Sequence, residues 1–412
     1  MASTRDIEKI KQLDRELISI IQDFLILGPL SWPIETQREF MQGVARGNLC
    51  LPEVTYNKVA SDEKIARLKI YLKNLGKDHH PAVAFLRDTA QSYLDAYRIL
   101  RGVGTKDVSK FSKKLYGCPS DLLGGYKKRN LDIAKYFLRI VDSYHKTISN
   151  EPQIYSAEKF RKKLQHLVDP VIKSRKDRVR ITVDDSITAR ATSGPSYVKI
   201  RKGTMFSDSD LWQLYHHEVM THTLTYINGR KQPTLLTLGY ASPRITATQE
   251  GLAVFSEYIN LSIELVRLKR IALRIIAIDM SENGADLIDL FRFFKESGQN
   301  DEESYYSSMR IFRGGSPKGG IIFYKDNVYL RGLIEVEAFL KKSMHGGLVH
   351  DIAVLFAGKL TTEDVYRLHS LIDEGYVVPP TYLPEWIQKT GELAAHLAIN
   401  DLTERFIEKK NK

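Results

Sequence analysis

The nine residues from Tyr215 to Thr223 read YHHEVMTHT, and three of them could carry out hydrolytic chemistry. His217 and His222 offer imidazole nitrogens of the kind that bind a divalent metal, and Glu218 offers a carboxylate able to take a proton from water. The spacing is one residue longer than the H-E-x-x-H signature of zinc peptidases. On a regular helix, positions five apart lie about 140° away from each other, so the two imidazoles could not share one ion. A π-type bulge, with backbone bonds running five residues back, returns them to one face, and such bulges gather at functional sites. The extra residue therefore demands a distorted helix and does not forbid a metal site.

A hydrolytic zinc site takes three protein ligands and keeps a position open for water. Glu250, 28 residues after His222 in the run TQEGLA, is the candidate third ligand, and Gly251 would let its helix approach closely. Glu257 lies seven residues further on the same helix face, where it could orient a histidine or be the ligand instead. Other motifs are weaker. His345 and His350 are also five apart, but Gly346 and Gly347 mark a loop and no glutamate base adjoins them. The GGSPKGG run lacks the order of a phosphate-binding loop, and Ser316 lacks the G-x-S-x-G frame of a nucleophile elbow.

These residues must be held by elements. From Asp6 to about Asp169, apolar residues recur at three- and four-residue steps, which predicts a helical N-terminal region. The run VRITVDDSITARATSGPSYVKIRKG is rich in β-branched residues around a turn and predicts one or two strands, with YVKIR as an exposed edge beside the metal helix. Ser207 and Asp210 form a near capping box at the start of that helix. Thr246 and Gln249 suggest a second capping box for the helix carrying Glu250. A helical C-terminal third follows a glycine-rich segment. The expected class is mainly α with a small β-sheet (α+β). Its expected organisation is a helical accessory region over residues 1–175 and a catalytic region over 176–412.

Bulk composition narrows the rest. The chain has 412 residues, with 43% hydrophobic and 27% charged, as expected of a folded globular protein. Its longest apolar runs are broken by Asp23, Arg274 and Asp279, well short of the roughly 18 residues that span a bilayer, so no membrane role is expected. No secretory signal opens the sequence, and Cys50 and Cys118 form no disulfide framework, so a cytoplasmic setting is expected. The net charge is +11, with the excess concentrated between Lys106 and Arg180. That stretch lacks the aromatic interleaving of a nucleic-acid platform and reads first as a solvated helix face. A regulatory protein binding nucleic acid or an acidic partner, with a structural metal, is the competing reading.

The motifs HHEVMTH, TQEGLA and FYKDNVYLRG together resemble the H-E-x-x-x-H zinc peptidases that include the microtubule-associated tyrosine carboxypeptidases. The likeness is greatest to the bacterial branch of QEGLA-motif, flavohemoglobin expression-modulating proteins. It covers about residues 180–400. The resemblance implies a zincin-like helical core with a short sheet and a Zn2+ held by His217, His222 and Glu250. It also implies that Glu218 is the catalytic acid/base and that the substrate is a peptide or protein C-terminal tail, possibly acidic. Such chemistry asks for cations to hold a terminal carboxylate, with Arg244, Arg313 and Arg331 as candidates, and for an oxyanion donor, with Tyr329 as candidate.

Overall fold

The computed structural model describes residues 3–57, 59–123, 127–144, 151–187 and 189–410. The protein is mainly helical with two small sheets, as the periodicity implied. Among the described residues no helix is long and apolar enough to cross a membrane. Helices Thr4–Ile21, Asp62–Leu75 and Pro81–Arg101 form an N-terminal layer. The first starts where the Ser3 hydroxyl accepts from the Asp6 amide, and the last starts at a proline, which lacks the N–H that a first turn leaves unpaired. Their buried faces join the later helices in one core running from Ile10 to Leu397. A smaller core, from Tyr155 to Ile227, gathers the inward residues of the strands and of the helix bearing the two histidines.

One polar contact ties the first helix to the rest. Asp14 is fully buried and accepts from the amides of Leu236 (2.8 Å) and Thr237 (3.1 Å) and from the Thr237 hydroxyl. It thereby caps the short turn Leu236–Gly239, which follows the metal-signature helix.

Strands β1 (Tyr155–Ser156) and β5 (Met205–Phe206) pair antiparallel. Strands β2 (Arg180–Asp184), β3 (Ala191–Ser193) and β4 (Tyr197–Arg201) form a second sheet in the order β2-β4-β3. Two expectations are corrected here. There are three strands in the run from 180 to 201, because β3 is only three residues long and too short to show alternation. The YVKIR strand is central, parallel to β2 on one side and antiparallel to β3 on the other. Val198 and Ile200 sit in the core, on the inward face of this central strand. The edge beside the histidine-bearing helix is β3 instead.

The helix Thr246–Ile259 crosses the helix Val328–His345 through two glycines. A Cβ on Gly251 would collide with the backbone of Gly332, and one on Gly332 would collide with the Ala247 carbonyl. Only this pair of missing side chains lets the backbones meet, as the position of Gly251 next to Glu250 suggested. The expected capping box at Thr246 does not form. A short 3-10 turn, Pro243–Ile245, runs straight into the helix, so Thr246 is already helical and its hydroxyl donates to the Pro243 carbonyl.

Gly251→Ala is expected to cost about 1–3 kcal/mol in chemical denaturation, because two packed helices must separate. An unchanged midpoint would mean the crossing is not tight. A second measurement concerns Asp14, whose carboxyl burial pushes up to about 6 although the Thr237 and Leu236 donors pull it down. A folded value above the unfolded 3.8 means that this group's contribution is complete below that pH and is lost as pH rises through about 6. Wild type should therefore lose stability relative to Asp14→Asn between about pH 4 and 6, and a flat difference across that window would contradict the assignment.

Candidate metal centre

The segment that carries the two histidines is a continuation of a capped helix. Ser207 and Asp210 close a full capping box, and the helix Asp208–Leu214 passes directly into a π-helix over Tyr215–Thr223 before α-helix resumes at Leu224. This is the distortion the five-residue spacing demanded. Threonines stabilise it from the side: Thr221 Oγ1 donates to the His216 carbonyl and Thr223 Oγ1 to the Glu218 carbonyl, each at 2.9 Å and each five residues back. Side-chain hydroxyls thus serve the widened turn where α-helical bonding is lost.

The widening brings the two imidazoles together, with ring centroids 4.8 Å apart and planes nearly perpendicular. Glu250 Oε2 lies 3.4 Å from His217 Nε2 and 3.8 Å from His222 Nε2. These three residues form a group whose ligand atoms all lie within 4.8 Å of one another, as a metal ion requires. Two histidines and a carboxylate suit a borderline-soft divalent ion.

Glu257 occupies the other side of His217. Its Oε1 is 2.6 Å from Nδ1, and Arg267 holds the same carboxylate at 3.2 and 3.4 Å. An ionised carboxylate needs a donor, so Nδ1 carries a proton, and Nε2, which faces Glu250, is the nitrogen a metal would take in place of its proton. Glu257 is therefore an orienting partner, one of the two roles its spacing allowed.

Electrostatics favour a cation at this point. Burial works against charge on His217, but the bonds to Glu250 and Glu257 overcome it and raise its pKa to about 10. Burial likewise opposes ionisation of Glu250, yet Lys325 and the two histidines hold its carboxyl well below the usual range. His222 is pushed down by burial, against the pull of Glu250. The field that draws positive charge onto His217 would act on any cation between the three side chains.

Two lysines at the site escaped the sequence reading. Lys325 Nζ bonds Glu250 Oε1 at 3.1 Å, on the side away from the histidines' oxygen. Lys359 reaches the His222 carbonyl at 3.0 Å and Gln249 Oε1 at 2.8 Å. Burial pushes its ammonium well below the usual lysine range, and Glu218 and Glu250 oppose that shift. Lys359 had a visible signal, since it stands alone in the apolar run AVLFAGKL. A lone lysine in such a run must be buried with partners.

The other anticipated residues divide. Arg244 is committed to Asp364 at 2.6 Å and lies over the Phe85 ring, and Arg331 bonds Glu335 at 2.8 Å. Arg313 and Tyr329 instead belong to a buried cationic cluster. Around the Tyr329 ring stand Arg274 (5.0 Å), Lys325 (5.6 Å) and Arg267 (5.7 Å), while Arg310 donates to its hydroxyl at 3.4 Å. Arg310 forms a two-pronged pair with Asp326 at 2.6 and 2.7 Å. Arg274 Nε stays 3.6 Å from that carboxylate, buried and without a hydrogen bond among the described residues. Burial, followed by the nearby Arg310 charge, lowers both Arg274 and Arg313 to about 10. Five cations thus face three carboxylates: Glu250, Glu257 and Asp326. Arg267 and Arg274, seven apart, share one face of helix Leu265–Glu282, a pattern that reading the helix only for its apolar stripe passed over.

No curated protein matches the chain. The profile of the microtubule-associated tyrosine carboxypeptidase family matches residues 39–404, a span holding the π-helical segment, Glu250 and the cationic cluster, and the chain belongs to that family of carboxypeptidases.

Proposed function

We propose that this protein is a zinc-dependent carboxypeptidase with a zincin-like core, which removes C-terminal residues from peptides or protein tails. The observation that carries the reading is the π-helical turn that gathers His217, His222 and Glu250 while Glu257 fixes the first histidine's tautomer. Residues 176–412 supply the catalytic region, and the helices of 1–175 support it, Asp14 being one such strut.

His217 Nε2, His222 Nε2 and a Glu250 carboxylate oxygen would hold the ion. A bound Zn2+ would act as Lewis acid on the scissile carbonyl and make water a stronger acid. Glu218, next to His217 on the same turn, takes the proton of the attacking water on its carboxylate and returns it to the leaving nitrogen. Arg310 occupies a lone pair of the Tyr329 hydroxyl, which leaves the phenol proton to donate to the developing oxyanion. The substrate's terminal carboxylate is taken by the buried cationic cluster around Tyr329, to which Arg274 and Arg313 belong. Arg274 Nε, buried and without a hydrogen bond, is the donor such a carboxylate would satisfy. Strand β3, at the edge of its sheet, offers main-chain groups to an extended peptide.

Purified wild type is expected to hold about one equivalent of zinc by elemental analysis, and His217→Ala and His222→Ala to lose it. Glu218→Gln should retain the metal while peptide turnover falls by about 10²–10⁴; full turnover in that variant would remove the proposed base. Peptides with a free C-terminus should be cleaved and their C-terminal amides spared. Arg274→Met and Arg313→Met should each raise KM about 10–100-fold for the free-terminus peptides. Equal cleavage of acid and amide would rule out a carboxylate receptor.

A further inference from the structure

One buried lysine, Lys359, touches both the π-helical turn and the helix carrying Glu250. We infer that Lys359 is a positioning residue that straps the π-helical turn to the helix carrying Glu250, and so sets the distance between the histidines and that carboxylate. The inference rests on the metal reading above.

Lys359 is 3% exposed, and its Nζ makes two hydrogen bonds, to the His222 carbonyl and to Gln249 Oε1. The first acceptor belongs to a ligand residue. The second belongs to the residue immediately before the third ligand. The Thr225 hydroxyl lies beside the same acceptors, 3.0 Å from Gln249 Oε1 and from the His222 carbonyl and 2.8 Å from the Thr221 carbonyl, with one proton to give among them. The lysine is itself delivered rigidly: its amide donates to the Leu238 carbonyl at 2.7 Å, and its ammonium sits 3.8 Å from the centroid of the Tyr226 ring.

The chemistry of this arrangement is unusual for a purely structural lysine. A buried amino group held by a carbonyl, an amide and a ring, with no carboxylate in hydrogen-bond contact among the described residues, is expensive to desolvate. An apolar residue of similar length would fill the space at no such cost, as replacement of buried charges by apolar groups often shows. What the apolar residue could not do is bond two acceptors on two different helices. A rigid three-point link is what a metal site needs, because groups supporting the ligands from behind govern affinity through orientation.

Lys359→Met, Lys359→Arg and Gln249→Leu are compared with wild type in the full-length chain by three measurements. These are thermal unfolding of the metal-free protein, Zn2+ affinity by competition with a chromophoric chelator, and the visible absorption of the Co2+ form. Lys359→Met is expected to unfold cooperatively near the wild-type midpoint. Its Zn2+ Kd should rise about 10–100-fold and its Co2+ bands should shift. Lys359→Arg, which keeps a cation with several donors, should recover part of the affinity. Gln249→Leu, which cuts the strap at its other end, should weaken Zn2+ in the same direction, and it decides the matter if Lys359→Met fails to fold. A metal-binding wild type matched in Kd and Co2+ spectrum by Lys359→Met, or by Gln249→Leu in that event, overturns the strap alone. A wild type that takes up neither ion overturns the metal reading and the strap with it.

Discussion

The fold turns on a single widened turn of helix. Were residues 215–223 α-helical, His217 and His222 would diverge by about 140° and no arrangement of the remaining chain could make them neighbours. The π-helix removes that divergence but gives up the regular bonding that makes a helix self-sufficient. Its stability is therefore imported, from Thr221 and Thr223 along the turn, from Thr225 and Lys359 at its end, and from Glu257 against the first histidine. A helix that cannot hold its own shape becomes a helix whose shape its neighbours control. That dependence explains why so many buried polar side chains converge on nine residues.

The second constraint is a backbone approach. Glu250 can reach the histidines only if its helix lies deep against the helix Val328–His345, and the glycine pair Gly251 and Gly332 makes that depth available. The same crossing brings Lys325, on the 3-10 turn Tyr324–Asn327 just before the second helix, against Glu250, with Tyr329 in that helix's first turn. One close contact of two helices thus joins the histidine pair to the cationic cluster. The glycines contribute nothing chemical, yet without them the chemical groups would belong to separate surfaces.

What the sequence disclosed, and what it hid, follows from the range of the interactions. The pairing of the two histidines, the π distortion and the capping box at Ser207 were legible because each depends on residues within a turn or two of each other. The Thr246 box was misread because its logic assumes an extended residue before the helix, and the 3-10 turn at Pro243 supplies a helical one. Strand β4 was mistaken for an edge because pairing on its second side comes from three residues too short to show a period. The arginines were chosen for nearness to motifs in sequence; Arg313 does lie in the cluster, but its companions are Arg267 and Arg274 from one helix, Arg310 from another and Lys325 from the 3-10 turn Tyr324–Asn327. No local pattern encodes which carboxylate each arginine meets: Arg244 meets Asp364 and Arg331 meets Glu335, whereas Arg274 shares Asp326 with Arg310.

Glu250 is where the two halves of the site meet. One of its oxygens faces the imidazoles at 3.4 and 3.8 Å, and the other holds Lys325 at 3.1 Å, which in turn lies 5.6 Å from the Tyr329 ring centroid among the arginines. A carboxylate in that position cannot be neutralised from one side without changing its pull on the other, because the low local dielectric leaves its charge unscreened. The candidate metal group and the cationic cluster are consequently one electrostatic unit. Lys325 and the two histidines keep Glu250 ionised, and on the proposed reading that charge would favour a metal at the histidine pair. The surplus of basic residues in the chain, read at first as a diffuse +11, thus has a buried component with a definite local task.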